Sequence, residues 1–528
     1  MKKSSLLFAL ISITTLSTAQ TVYQSTDRAA TKDTVIVAKP KKTVSPDSLY
    51  NSGIDKFSNT KNYTGAIEDL NIAIEMKPSN VEYLVARGMA KGALADYAGA
   101  IIDFSKAIEL DPKNTEAYNN RGIAKIYIED YKGAINDYTK SIALDSKNES
   151  AYYNRGIAKF DFQDYAGAIL DFTKVTQINP RNAMAFYYRG VTKDAFNDPK
   201  NAISDFNKAL SLDSTKSDTY CKRGIARMHM GENRNAMNDL TKAIDVNPKN
   251  EEAFLNRGAL RIILKKYKDA ILDCNTAIKI NPRNAKAYYH KGIAESRLEQ
   301  YEFALANLSM AIEINPKYTE AYIRSGIVKG LSKDPAGAIV DLTKAIEIEP
   351  KNAEAYYNRG VARNTKEAID DFNKAIEYRP LFPEAYIRRG IIYGNMKNYK
   401  QALTDFNKAI DIQPKNSDAY YNRGVTKNEM NDISGAISDY TMSIELDPSN
   451  SICFYNRGLA KATYKYYVEA VSDFTKAIEL NPSYAAAFFN RGLAKLKLKD
   501  KNGACHDINR SKDLGYQDPF SAVRQSCD

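Results

Sequence analysis

Apolar positions recur along this chain at helical spacing, stop, and start again. In residues 115–144, Ala117, Tyr118, Ile123 and Ala124 share one helical face, and Ala134, Ile135, Tyr138 and Ile142 share another. Glu129-Asp130-Tyr131 lies between them as a turn. Asp111-Pro112-Lys113-Asn114 ends the preceding stretch and caps the helix that follows. At two such turns Pro199 and Pro335 stand where Tyr is usual. Proline at a first helical position costs little, because its missing N–H has no intrahelical partner, so both residues mark the start of a second helix. The pattern predicts helix pairs.

Glycine gives the repeat length. From Gly88 to Gly360 the spacing is 34 residues, through Gly122, Gly156, Gly190, Gly224, Gly258, Gly292 and Gly326. Gly390 follows after 30, and Gly424, Gly458 and Gly492 return to 34, while Gly53 opens the series. These glycines number 14 repeats. An Ala 12 residues later (Ala100, Ala134, Ala168), an aromatic four residues earlier (Tyr118, Tyr152, Phe186) and a closing Pro (Pro112, Pro180, Pro248) move with them. Gly on the first helix and Ala on the second let the pair approach closely. A lone pair cannot bury its apolar stripes, so stability has to come from stacking neighbours.

A 34-residue helix–turn–helix with aromatic, Gly, Tyr, Ala and Pro in this order resembles the tetratricopeptide repeat family over nearly the whole chain. The resemblance implies an all-α, right-handed superhelical solenoid of about 14 repeats over residues 47–515, closed by a C-terminal capping helix at 516–528. One departure is consistent. The residue before the Gly, Leu in the family pattern, is Arg in 11 repeats. An Asp stands 15 residues after the Gly in regular repeats, as Asp137 and Asp171 do. Arg121 with Asp137 and Arg155 with Asp171 are therefore expected to form structural ion pairs, either within one repeat or with a neighbour.

In this family the first helices line the concave groove. The resemblance places there an aromatic three residues before the Gly (Tyr153, Tyr187, Tyr357, Tyr421, Tyr455) and an Asn two before it (Asn120, Asn154, Asn256, Asn358, Asn422, Asn456, Asn490). Asn amides can both donate to and accept from an extended peptide backbone, though a row of them also serves simply to solvate the groove. The places where chaperone-binding relatives hold the Lys and Arg of a carboxylate clamp carry Glu116, Glu252 and Glu354 instead, which argues against such a clamp.

Composition narrows the function. Three His, five Cys and no Trp in 528 residues leave little material for His-based catalysis, metal sites or a disulfide framework. No catalytic, cofactor-binding or metal-ligating residues are assigned, no cofactor is expected, and the chain reads as a non-enzyme. Cys274 and Cys453 fit buried positions, Cys221 a partly exposed groove position. Cys505 and Cys527 are candidates for a disulfide or for two free thiols. The net charge of +11 is a mild bias over this length and points weakly to anionic partners. At the N-terminus Lys2 and Lys3, the apolar run Leu6–Leu16 and Ser17-Thr18-Ala19 have the order of a secretory signal peptide, residues 1–19. A polar linker, 20–46, carries Lys39-Pro40-Lys41-Lys42.

The sequence thus reads as an exported scaffold, located in the periplasm, at the outer membrane or outside a Gram-negative cell. Its expected partners are other proteins or extended peptides, such as envelope or secretion-machinery proteins. The alternative is a substrate-docking subunit of an envelope enzyme or assembly complex, with nucleic-acid binding a distant third. No transmembrane span and no particular oligomeric state are expected.

Overall fold

The computed structural model describes residues 45–517. The expected signal peptide, all but the last two residues of the expected linker and nearly all of the expected capping helix, Cys527 included, lie outside them. Among the described residues are 28 α-helices and no strand, from Pro46–Ser58 to Lys501–Asp513. They alternate as the first (A) and second (B) helices of the fourteen repeats. The chain divides at Glu129 and Asp130 into two compact units. The first ends with the helix Thr115–Tyr127, and the second runs from Tyr131–Leu144 onward.

Repeat 4 shows how the sequence makes a hairpin. Helix A, Glu149–Asp161, is capped by Asn148, whose side chain accepts the N–H of Ala151. Helix B, Tyr165–Ile178, is capped by Asp164, which accepts from the N–H of Gly167. Each cap satisfies a donor left without an intrahelical partner. At the corner between them Gln163 is left-handed, with φ 65°. Ala95, Lys265 and Lys465 hold the same conformation at their corners, where only Gly231 of the regular repeats supplies the residue type that tolerates it freely.

The two helices meet at the glycine. Phe172 and Ala168 of helix B are fully buried, and a Cβ added to Gly156 would lie 2.9 Å from the Phe172 ring. In repeat 7 the aromatic is replaced by Cys274, whose Sγ would stand 3.3 Å from a Cβ on Gly258. Repeat 10 is short: its helices, Ala353–Arg363 and Ala368–Tyr378, have 11 residues each and meet at a left-handed Asn364. The missing residues come out of the helix ends that flank the corner, and Phe372 still closes on Gly360.

Cys274 and Cys453 are fully buried. So is Cys221, which corrects the expectation of partial exposure. It packs against Leu240 and Ala243 of its own repeat and Ala253 and Leu260 of the next, and burial pushes its thiol pKa well up. Cys505 is disulfide-bonded.

The close approach makes a differential prediction. Gly156→Ala drives a methyl into the Phe172 ring and is expected to cost about 1–3 kcal/mol. Gly258→Ala meets the Cys274 sulfur at 3.3 Å, a milder crowding than at Gly156, and the helix-propensity gain of about 1 kcal/mol for Ala over Gly offsets much of it. Urea unfolding of the two variants side by side checks this; equal losses would contradict the packing account.

Candidate functional site

The A helices of successive repeats touch one another in the second unit. Asn456 donates to the Tyr421 hydroxyl of the repeat before it at 3.0 Å, and Asn490 to that of Tyr455 at 3.1 Å. In some repeats the aromatic three residues before the Gly also leans on the N-cap residue of the next A helix: Tyr357 on Phe382 and Tyr455 on Tyr484, with centroids 4.9 and 4.8 Å apart. These contacts join the A helices into one surface.

The Asn amides are oriented by their own helices. Asn256, Asn358, Asn422 and Asn490 donate to the carbonyl oxygens of Glu252, Glu354, Asp418 and Ala486, four residues back, at 2.7–2.9 Å. With Nδ2 held in this way, Oδ1 remains as the acceptor presented by the side chain. Tyr357, Tyr421 and Tyr455 are half-buried beside this row. Asn120, in the first unit, is also half-buried.

Repeats 4 and 5 depart from this arrangement. Tyr153, Tyr187 and Asn154, expected to line a groove, are only 5%, 7% and 7% exposed. The cause is Tyr188, which takes the Asn position of repeat 5. Its ring meets Tyr153 edge-on at 5.7 Å and stacks on Phe172 at 5.9 Å. The aromatics close over one another and leave little to offer a ligand.

Six residues before the Gly the same helices carry Asp218, Glu252, Glu320, Glu354, Glu384 and Asp418. One of them is already occupied: the Lys222 ammonium sits 2.6 Å from Glu252 of the following repeat. Burial alone would lower the Lys222 pKa, but Glu252 outweighs it and the net shift is upward. His290 and Arg324 replace Asn in repeats 8 and 9. Burial, with Lys286 nearby, pushes the His290 pKa down to about 4, so the imidazole is neutral at pH 7.

Beneath this surface lies a polar layer. Arg155 Nε and Nη2 donate to the two carboxylate oxygens of Asp171 at 2.9 and 2.7 Å, joining helices A and B of one repeat. Its Nη1 donates to Thr139 Oγ1 on helix B of the repeat before, at 3.0 Å. Lys159 adds a second cation to Asp171 at 2.8 Å, and the guanidinium lies over the Tyr152 ring. The geometry recurs at Arg189, Arg223, Arg257, Arg423 and Arg457. In repeat 14 burial would raise the Asp507 pKa, but Arg491 and Lys495 hold it below the usual carboxylate value. Arg121 donates to Ser105 at 3.1 Å in the first unit, and Asp137 is fully buried in the second. The partner on the preceding B helix is a contact that the sequence reading missed. Its signal was present: a Ser, Thr or Asn recurs two residues after each Asp, as at Ser105, Thr139, Thr173 and Asn207.

Sequence models of the tetratricopeptide repeat match residues 81–114, 127–163, 221–285, 335–363, 383–416 and 406–438. With the repeated hairpins, these place the chain in the tetratricopeptide repeat family. No curated protein matches the sequence. Among solved structures, the anaphase-promoting complex hetero-tetramer Cut9–Hcn1 is 14% identical, over 92% of this chain and 96% of that one, with a TM-score of 0.50. That likeness concerns the fold. A tetratricopeptide repeat protein from Parabacteroides merdae is 20% identical over 47% of this chain and 98% of its own, with a TM-score of 0.40. YrrB, described as having an unusual peptide-binding site, is 23% identical over 35% and 95%, with a TM-score of 0.30. Among the described residues no helix is long and apolar enough to cross a membrane.

Two predictions follow from the electrostatics. Arg155→Ala leaves the buried Asp171 with Lys159 alone, and Asp171→Ala leaves both cations without their carboxylate; each is expected to cost about 1–3 kcal/mol. The double variant should lose less than the sum, with a coupling of about 1–3 kcal/mol; strict additivity in a double-mutant cycle would show that the pair does not interact. His290 has a folded pKa depressed from 6.5 to about 4. Its contribution is therefore complete above pH 6.5 and is lost as pH falls toward 4, where the unfolded chain takes up the proton first. Comparing wild type with His290→Gln across this window isolates the effect, and parallel stability curves would refute it.

Proposed function

We propose that the A-helix surface binds an extended segment of another protein, and that the chain is a scaffold without catalysis of its own. The observation that carries this reading is the row of Asn side chains, each oriented by one N–H bond to its own helix with Oδ1 left to accept. A ligand suited to that row supplies backbone N–H groups along an extended strand. The half-buried tyrosines beside it give apolar contact at modest entropic cost. The flanking carboxylates repel an acidic segment and favour one carrying Lys or Arg, as the Lys222–Glu252 contact illustrates.

The proposal includes export. Its support is the charged, apolar, small-residue order of Lys2–Lys3, Leu6–Leu16 and Ser17-Thr18-Ala19, which puts the partners among envelope or secreted proteins.

The test is an array of 15-residue peptides probed with the chain from Gln20 onward. Extended Lys- or Arg-bearing peptides should bind more tightly than acidic ones. Replacing Asn422, Asn456 and Asn490 together by Ala should weaken that binding about tenfold or more, with the helical circular dichroism unchanged. A triple variant that binds like wild type would end the amide reading.

A further inference from the structure

The Arg layer that ties each repeat to the one before it fails at two consecutive places. In repeat 8 the Arg position holds Lys291, the Asp position holds Asn307, and the second cation is replaced by Glu295. Lys291 stands 4.0 Å from Glu295, and Asn307 donates to Glu295 at 2.8 Å and to the Phe303 carbonyl at 3.0 Å. In repeat 9 the Arg position holds Ser325, which donates to Asp341 at 2.7 Å, with Lys329 also 2.7 Å from Asp341. All of these contacts stay inside one repeat. The acceptors that the missing guanidinium groups would meet are still in the sequence, as Asn275 on helix B of repeat 7 and Ser309 on helix B of repeat 8.

The apolar packing does not fail with it. Ala294, Ala304, Leu308, Ala311 and Val328 are fully buried, so both repeats are folded hairpins. What crosses the two interfaces among side chains is of another kind. Asn281 and Asn284 donate to Glu251 at the loop between repeats 7 and 8. Between repeats 8 and 9, Tyr289 packs on Tyr318 at 5.0 Å and is hydrogen-bonded by Arg324. Arg324 also keeps a buried Nε without a hydrogen-bond partner. The next interface returns to the regular form, with Arg359 donating to Asp371 and to Thr343 of repeat 9.

We infer that repeats 8 and 9 are a compliant joint within the second unit, where successive repeats can open or bend against each other while each keeps its own core. Apolar contact is non-directional and tolerates small rotations, whereas a bidentate guanidinium fixes helix orientation. An array in which neighbours are coupled only by shared interfaces bends more easily where a directional tie across an interface is missing. At the joint His290 and Arg324 stand in place of Asn, as Lys222 and Arg388 do in repeats 6 and 11. Bending at the joint would let the A-helix surface before it and the surface after it each adjust to its own stretch of ligand.

Hydrogen–deuterium exchange with mass spectrometry on the full chain tests this without any ligand. Amides of residues 285–348 are expected to exchange roughly tenfold faster than those of repeats 6 and 12. Ser325→Arg should slow repeat 9 to the level of repeats 6 and 12, because Asp341, Lys329 and Ser309 are already in place. Arg457→Ser should create a second fast region around repeat 13. Uniform exchange across the second unit would overturn the proposal. So would Ser325→Arg and Arg457→Ser both leaving the pattern unchanged. If Ser325→Arg fails to fold, the new fast region in Arg457→Ser, or its absence, decides the matter.

Discussion

Much of this structure depends on one guanidinium group used three ways. In each regular layer the Arg before the glycine holds the Asp of its own second helix with two bonds. With a third it reaches the second helix of the preceding repeat. The first two fix the hairpin and the third fixes the stacking, so a single side chain sets both the angle inside a repeat and the step between repeats. Apolar burial supplies the driving force, and this layer supplies direction.

Such a layer is not a large store of stability. Taking Arg155 and Asp171 out of water carries a penalty that their attraction only partly returns. An apolar pair of similar volume would hold the hairpin about as well, consistent with the Leu that the family pattern has at this position. The pair has an asymmetric consequence instead: losing Asp171 leaves two cations without their carboxylate, whereas losing Arg155 still leaves Asp171 with Lys159. Repeats 8 and 9 show both outcomes: in repeat 8 Lys291, Glu295 and Asn307 have all departed from the regular set, whereas repeat 9 has lost the Arg alone, and Ser325 and Lys329 hold Asp341.

The hairpins were legible in the sequence because their determinants are local and periodic. Caps such as Asn148 and Asp164, the glycine under Phe172 and the proline at helix starts each act within a few residues or at a fixed offset. The left-handed corners were not legible, because Gln163, Lys265 and Ala95 carry no sign of that conformation and are held in it by the helices on either side. The Thr139 partner of Arg155 was visible only as a recurrence without a stated role. Cys221 was misjudged because a position that faces the groove in one repeat is covered by the next repeat.

The A-helix surface was the least legible part, for a related reason. Whether Tyr153 or Tyr421 is open to a ligand depends on the identity of a residue 35 positions later. Tyr188 follows the first, and its ring packs edge-on against Tyr153, which is buried. Asn456 follows the second, and its amide merely bonds the Tyr421 hydroxyl and leaves the ring half-exposed. Identical motifs thus give different surfaces according to what the following repeat lays over them. In an array of near-copies, recognition resides less in the repeated pattern than in the few positions where consecutive copies differ.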